Sequence, residues 1–174
     1  MIEIRAHGRG GMGAVTMMEL LAIAAFKDGK YSQAFSSFGV ERTGSPTTAF
    51  CRIDNKFINL RTHVYTPGYL IILDDTLLNI LDVTNGLSKT GMIIINSKKK
   101  LRIDGFKIFC VDATQIALDM LGKPVVNTAM LGAFSKATGL VRLESIKSAV
   151  KERFEGELGE KNVKAIELAY ERTK

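Results

Sequence analysis

The sequence predicts an α/β fold: a mainly parallel sheet between helices in three layers, with an antiparallel hairpin insertion and helices at the C-terminal end. Three observations lead there. The apolar runs "YLIIL" and "MIIIN" are strand-sized and nearly unbroken, as in strands buried on both faces. Segments with apolar residues at helical spacing alternate with them. From Asn127 onward the pattern is helical throughout. A chain of 174 residues is expected to form a single domain, residues 1–174, around one core.

The elements follow in order. Residues 2–6, "IEIRA", alternate and run into four glycines, Gly8, Gly10, Gly11 and Gly13. Val15, Met18, Leu21, Ala22, Ala25 and Phe26 then recur at helical spacing, so a strand, a glycine turn and a helix are predicted. "DGK" at 28–30 stops that helix, and "YSQAFSSF" at 31–38 reads as a second strand, completing a β-α-β unit. The charged stretch 39–46 is expected to be an exposed loop. "TTAFCRI" and "KFINL" flank Asp54-Asn55 in the pattern of a tight β-hairpin. Next come a buried strand at 69–74, a helix over "DTLLNILDVT", a second buried strand at 91–96, a strand "FKIFCVD" and a helix ending at Gly122. The alternation predicts helices on both faces of the sheet. "NTAMLGAFSKATG" is apolar on most sides and is expected to pack deep. Leu143, Ile146, Val150 and Phe154 form one amphipathic stripe, and Val163, Ile166 and Tyr170 form the inward face of a final surface helix.

Several function classes are disfavoured. The first residues carry charges at Glu3 and Arg5 and lack a secretory apolar stretch, and no run approaches the roughly 20 residues of a membrane span. A cytoplasmic protein without a membrane partner is expected. Cys51 and Cys110 are the only two cysteines, too few for a disulfide framework, a zinc site or a cluster that takes about four thiolates; both are expected to be buried small hydrophobes. No metal site and no nucleophile-base constellation is found, so no catalytic residue is assigned. The net charge is +6, but the basic residues are scattered, which argues against nucleic acid. The one dense cluster, "SKKKLR" at 97–102, reads as a solvated loop. A basic surface facing an acidic partner or a phosphorylated cofactor explains the charge as well.

The glycine turn carries the chemistry. Between a strand and a helix, residues with so little side chain leave backbone N–H groups open at the positive end of the helix dipole, where a phosphate can approach. Gly8, Gly10 and Gly13 also fit the dinucleotide spacing G-x-G-x-x-G. However, no acidic residue ends the second strand to hold a ribose, Glu41 lies too far on, and its neighbour Arg42 favours a phosphate. A Walker-type G-K-[ST] is absent. Such glycines also serve simply to let a helix pack closely on a strand; Arg9, a fork-shaped phosphate donor inside the turn, weighs against that role alone. His7 is either a ligand donor or, preferably, a histidine satisfied by backbone groups. The 39–45 loop is either a cap on the sheet or a functional contact.

Taken together, H-G-R-G-G-x-G at 7–13 and F-x-S-F-G-x-E-R-x-G at 35–44 resemble the gamma subunit of pyruvate (2-oxoacid):ferredoxin oxidoreductase. The likeness extends through "INLRTHVYTPGYLIILDDTLL" and the C-terminal helices, over nearly the whole chain. It implies a Rossmann-like fold and a non-catalytic subunit of a heterotetramer with alpha, beta and delta partners. That complex would decarboxylate a 2-oxoacid on thiamine diphosphate with Mg²⁺, pass electrons through iron-sulfur clusters to ferredoxin, and yield acyl-coenzyme A. The chain lacks the G-D-G signature for thiamine diphosphate and the cysteines for a cluster, so those groups belong to partners. It implies coenzyme A binding through Gly8, Arg9, Gly10, Gly11, Met12 and Gly13, with Thr16 a hydroxyl donor and Arg42 a second cation. Met12 replaces a frequent Gln, Ser36 and Val40 stand where proline is frequent, and Thr43 stands where a basic residue is common, which removes one anion contact. The alternative from another class is a free-standing dinucleotide-binding oxidoreductase, favoured by the G-x-G-x-x-G spacing; a third reading is a scaffold whose turn touches only partner backbone.

Overall fold

A computed structural model describes residues 1–37 and 43–174. Strands β1 (Ile2–Arg9), β2 (Tyr31–Ser36), β3 (Pro46–Asp54), β4 (Tyr69–Ile72), β5 (Met92–Asn96) and β6 (Lys107–Val111) form one sheet in the order β2-β3-β1-β4-β5-β6. β1, β4, β5 and β6 are mutually parallel, whereas β3 runs antiparallel to both β1 and β2. The helices are α1 (Ala14–Lys27), α2 (Ala113–Leu121), α3 (Asn127–Thr138), α4 (Leu143–Arg153) and α5 (Gly156–Arg172). The α/β class, the mainly parallel sheet and the C-terminal helices are as the sequence predicts.

Three local expectations are corrected. The antiparallel hairpin is β2–β3, joined through residues 37–45, and not the pair around Asp54-Asn55; the "KFINL" segment is not a strand. β3 therefore lies between β1 and β2, and the opening β-α-β crossover skips over it. The predicted helix over 75–84 is only a 3₁₀ turn, Asp75–Asn79, followed by irregular chain.

The last difference changes the layers. Side chains alternate along a strand, so Ile71 and Ile94 enter one core, while Leu70, Ile72, Ile93 and Ile95 enter another. All five helices pack on the first face. The second is covered by Leu77 of the 3₁₀ turn and by Val83, Leu87, Ile103 and Phe106 from irregular segments. Helices therefore do not cover both faces.

α3 is the most enclosed helix, buried from Asn127 through Ser135 as its composition predicts. At Gly132 it meets α5 so closely that an added Cβ would lie 2.1 Å from the Ile166 carbonyl oxygen. Cys51 is fully buried, which pushes its thiol up to about 12. Cys110 is only half-buried, on edge strand β6. Among the described residues, no helix is long and apolar enough to cross a membrane.

Candidate functional site

After β1 the chain turns to one side of the sheet, through α1 to β2 and β3; β4 then opens the other side. The carboxyl ends of β1 and β4 thus flank a topological switch point, where parallel sheets open a crevice for ligands. The glycine turn lies on one flank and Leu73, Asp74 and Asp75 on the other.

The turn is held from several directions. The Gly10 N–H donates to the Ser45 carbonyl (2.8 Å), its carbonyl accepts from the Gly44 N–H (3.0 Å), and the Met12 N–H closes back on the Arg9 carbonyl (2.9 Å). Gly11 and Gly13 have φ of 93° and 78°, which favour glycine. Gly13 caps α1, and its carbonyl accepts from the Met17 N–H (2.9 Å) and from Asn127 Nδ2 (3.4 Å). A Cβ at Gly13 would come 2.5 Å from Asn127 Nδ2, and one at Gly8 would press on Leu73 Cδ1 at 3.1 Å; at Gly11 it would meet nothing within 4 Å.

This sorts the predicted anion donors. The amides of Arg9, Gly10 and Met12 are spent inside the turn, that of Arg9 on Met12 Sδ at 3.3 Å. Among the described residues, those of Gly11, Gly13, Ala14, Val15 and Thr16 have no acceptor within the chain. They belong to the turn and to the helix's first orphan donors, with Gly11 exposed at the tip. Thr16 is half-buried in the first turn. Arg42 lies outside the described residues.

Arg9 is not a free fork. Its Nε pairs with Asp74 Oδ2 at 2.5 Å, one terminal nitrogen donates to Thr76 Oγ1 at 2.8 Å, and the other to the Gly44 carbonyl at 3.2 Å. Burial alone would raise the Asp74 carboxyl. Hydrogen bonds from Thr76 and Arg9 outweigh it and hold the group below the usual carboxylate range. Arg9 is a strap across the crevice, binding the β1 turn to the end of β4.

Beside the strap is a cavity of about 340 Å³ between Met12, Leu73, Asn96 and Thr114. Asn96 donates to the Leu73 carbonyl (2.8 Å) and accepts from the Thr114 N–H (3.2 Å). Asp74, Asp75 and Asp112 face it against one cation, Lys98, so its potential disfavours phosphate. The opposite side of the turn is different. Thr16, Val125, Phe154 and Leu158 line an apolar groove of about 390 Å³ that also carries Lys123 and Arg153. Sequence reading missed these two cations because nothing in their spacing ties them to a turn more than a hundred residues away. It also missed Asp74, Thr76 and Asn127, although D-x-T at a strand end is a turn signal.

His7 departs from expectation. It is buried with 8% exposure, and neither ring nitrogen has a hydrogen-bond partner. Burial, with the nearby Arg5 charge second, lowers its pKa to about 4. An imidazole kept neutral when folded but protonated near pH 6.5 when unfolded makes stability fall as pH drops through that interval. Between pH 7 and pH 5 the wild type should lose about 2 kcal/mol through this group. Urea midpoints at the two pH values check this: in His7→Leu the drop should shrink by that amount, and an unchanged drop contradicts it.

The family described as pyruvate ferredoxin/flavodoxin oxidoreductase matches residues 3–172. The chain belongs to that family. It is 55% identical over 180 residues to the pyruvate/ketoisovalerate oxidoreductases common subunit gamma of Pyrococcus furiosus, covering 99% of this chain and 97% of that one. It is 56% identical over 170 residues to pyruvate synthase subunit PorC of Methanocaldococcus jannaschii, covering 98% and 96%. The crystal structure of pyruvate oxidoreductase subunit PORC from Thermotoga maritima superposes with a TM-score of 0.86 at 38% identity, covering 99% of this chain and 97% of that one. The resemblance to the oxidoreductase gamma subunit is thereby borne out.

Proposed function

We propose that this chain is the single-domain gamma subunit of a cytoplasmic oxidoreductase complex, and that it helps to bind and position coenzyme A. The complex oxidatively decarboxylates pyruvate or a related 2-oxoacid to acyl-coenzyme A and passes the electrons to ferredoxin. Thiamine diphosphate with Mg²⁺ and iron-sulfur clusters supply the carbon chemistry and electron transfer, on alpha, beta and delta partners. Among this chain's described residues no group of three or more His, Cys, Asp or Glu could hold a metal.

The observation that carries the role is the set of unbonded amides at the start of α1, those of Gly11, Gly13, Ala14, Val15 and Thr16. They fit an anion: donors converge where the helix dipole is positive, and the tip has space. The adjoining groove fits the rest of a coenzyme that combines phosphates with a long, weakly polar arm. Phosphate would sit at Gly11, Gly13 and Ala14, with Lys123 and Arg153 as flanking charge. Arg9 acts indirectly, because its strap to Asp74 and Thr76 fixes the turn's orientation. The aspartate-lined cavity beyond Met12 keeps the anion on the groove side.

Reconstitution tests this reading. Partner subunits mixed with this chain should reduce ferredoxin in a reaction dependent on both a 2-oxoacid and coenzyme A. Partners alone should lose most of that activity, and the isolated chain should show none. Full turnover without this chain overturns the assignment.

A further inference from the structure

The lysine run at 98–100 has no role in the coenzyme reading, yet the fold concentrates further charge beside it. β6 is the outer strand of the sheet, and beyond it Lys174 pairs with Cys110 through backbone hydrogen bonds of 2.9 and 3.3 Å. Between the turn after β5 and the end of α5 opens a cavity of about 500 Å³. Its rim holds five cations, Lys98, Lys99, Lys100, Arg172 and Lys174, against Asp112 and Glu171. Asp112 already caps α2 through the Gln115 N–H at 3.0 Å.

All five cations are exposed, and among the described residues none is in an ion pair. Lysines on α4 and α5 show the contrast: Lys147 pairs with Glu167, Lys151 with Glu160 and Lys161 with Glu157. Gathering unpaired like charge on one edge does nothing for folding, since exposed like charges repel. It does create a field that attracts an anionic surface.

Composition decides what kind of surface. Stable interfaces are depleted in lysine and centred on large apolar side chains. None of the exposed large hydrophobic residues falls within 97–112 or 171–174. A lysine-rich, apolar-poor rim instead suits a brief, electrostatically steered encounter, the low end of the interface size range. We propose that this edge is the docking face for a transiently bound electron-carrier protein with a carboxylate-rich surface. The family reading supplies the carrier's identity; the charge pattern supplies the face.

The test uses the assembled complex and an acidic ferredoxin as probe, with association followed by surface plasmon resonance at low and high salt. Lys98→Glu/Lys99→Glu/Lys100→Glu should lower the association rate roughly tenfold or more at low salt, with the gap closing at high salt. The corresponding triple Gln variant should show a smaller loss, and Lys161→Glu on α5 almost none. Reduction of a small dye acceptor should stay at the wild-type rate in all three. An unchanged association rate in the triple Glu variant overturns the proposal. So does a triple variant that no longer assembles, which would make the edge a permanent subunit interface, or tighter binding of duplex DNA than of ferredoxin through these lysines. If the wild-type complex reduces no dye with any 2-oxoacid, the functional assignment fails, and the ferredoxin association rates still decide the docking face.

Discussion

Arg52→Met should lower the stability of the folded chain by about 3 kcal/mol, because it leaves a partly buried carboxylate and several part-buried carbonyls without their donor. Arg52 is fully buried on β3. Its Nε donates to Glu3 at 2.9 Å, and Nη2 donates to the carbonyls of Thr62 and His63 at 2.7 and 3.2 Å. Its guanidinium also stacks 4.9 Å from the Phe35 ring centre. Methionine keeps the volume but leaves the Glu3 carboxylate and those carbonyls without a donor. At about 2–4 °C per kcal/mol for a chain of this size, the melting temperature should drop by roughly 6–12 °C. Segment 57–66 should become protease-sensitive first, because the lost contacts tie it to the sheet. The double variant Glu3→Met/Arg52→Met should cost less than the sum of the single variants, since neither charge is then orphaned. Additive losses would contradict this picture, and a melting temperature within a degree of wild type would refute it.

Gly132→Ala is the second large effect. In a helix interior, Gly→Ala ordinarily gains up to about 1 kcal/mol. Here the new Cβ would stand 2.1 Å from the Ile166 oxygen and 2.9 Å from its carbon. That is backbone of a packed helix, so α3 and α5 must move apart. Overpacking of this kind costs about 1–3 kcal/mol and occasionally more, and the upper end is expected because both helices sit in the main core. Urea denaturation should show a lower midpoint with an unchanged slope. A gain in stability would mean the helices are not in contact at this position.

Much of this architecture was legible because periodicity and burial agreed. β4 and β5 are apolar on both faces since both faces are covered, and α3 is apolar all round since it is enclosed. Where sequence reading failed, local hydrogen bonds overrode the pattern. Leu77, Leu78 and Leu81 have helical spacing, but Asp74 and Asp82 each accept from the backbone N–H two residues on, at 3.0 and 3.1 Å, and set turns at either end. The Asp54-Asn55 turn signal was genuine, as Asp54 accepts from the Lys56 N–H at 3.3 Å. The following segment leaves the sheet, with its Leu60, Thr62 and His63 carbonyls accepting from Arg52, and β3 pairs with β1 and β2 instead. At the site, the glycine turn was readable from local sequence. Arg9's engagement with Asp74, Asn127's contact with Gly13, and the Lys123/Arg153 groove depend on contacts between distant parts of the chain, which a single sequence does not display.

The proposed coenzyme role rests on open amides at the tip of the turn, and Gly11→Asp addresses them directly. Position 11 is exposed with no atom near an added Cβ, and Asp and Asn are the residues best able to share a positive φ. In the reconstituted complex, Gly11→Asp should raise the KM for coenzyme A roughly tenfold, about 1.4 kcal/mol of lost binding. The KM for the 2-oxoacid should be unchanged, and Gly11→Asn, with the same shape but no charge, should show a much smaller shift. A Gly11→Asp complex whose KM for coenzyme A equals that of wild type would show that the anion does not bind at this turn.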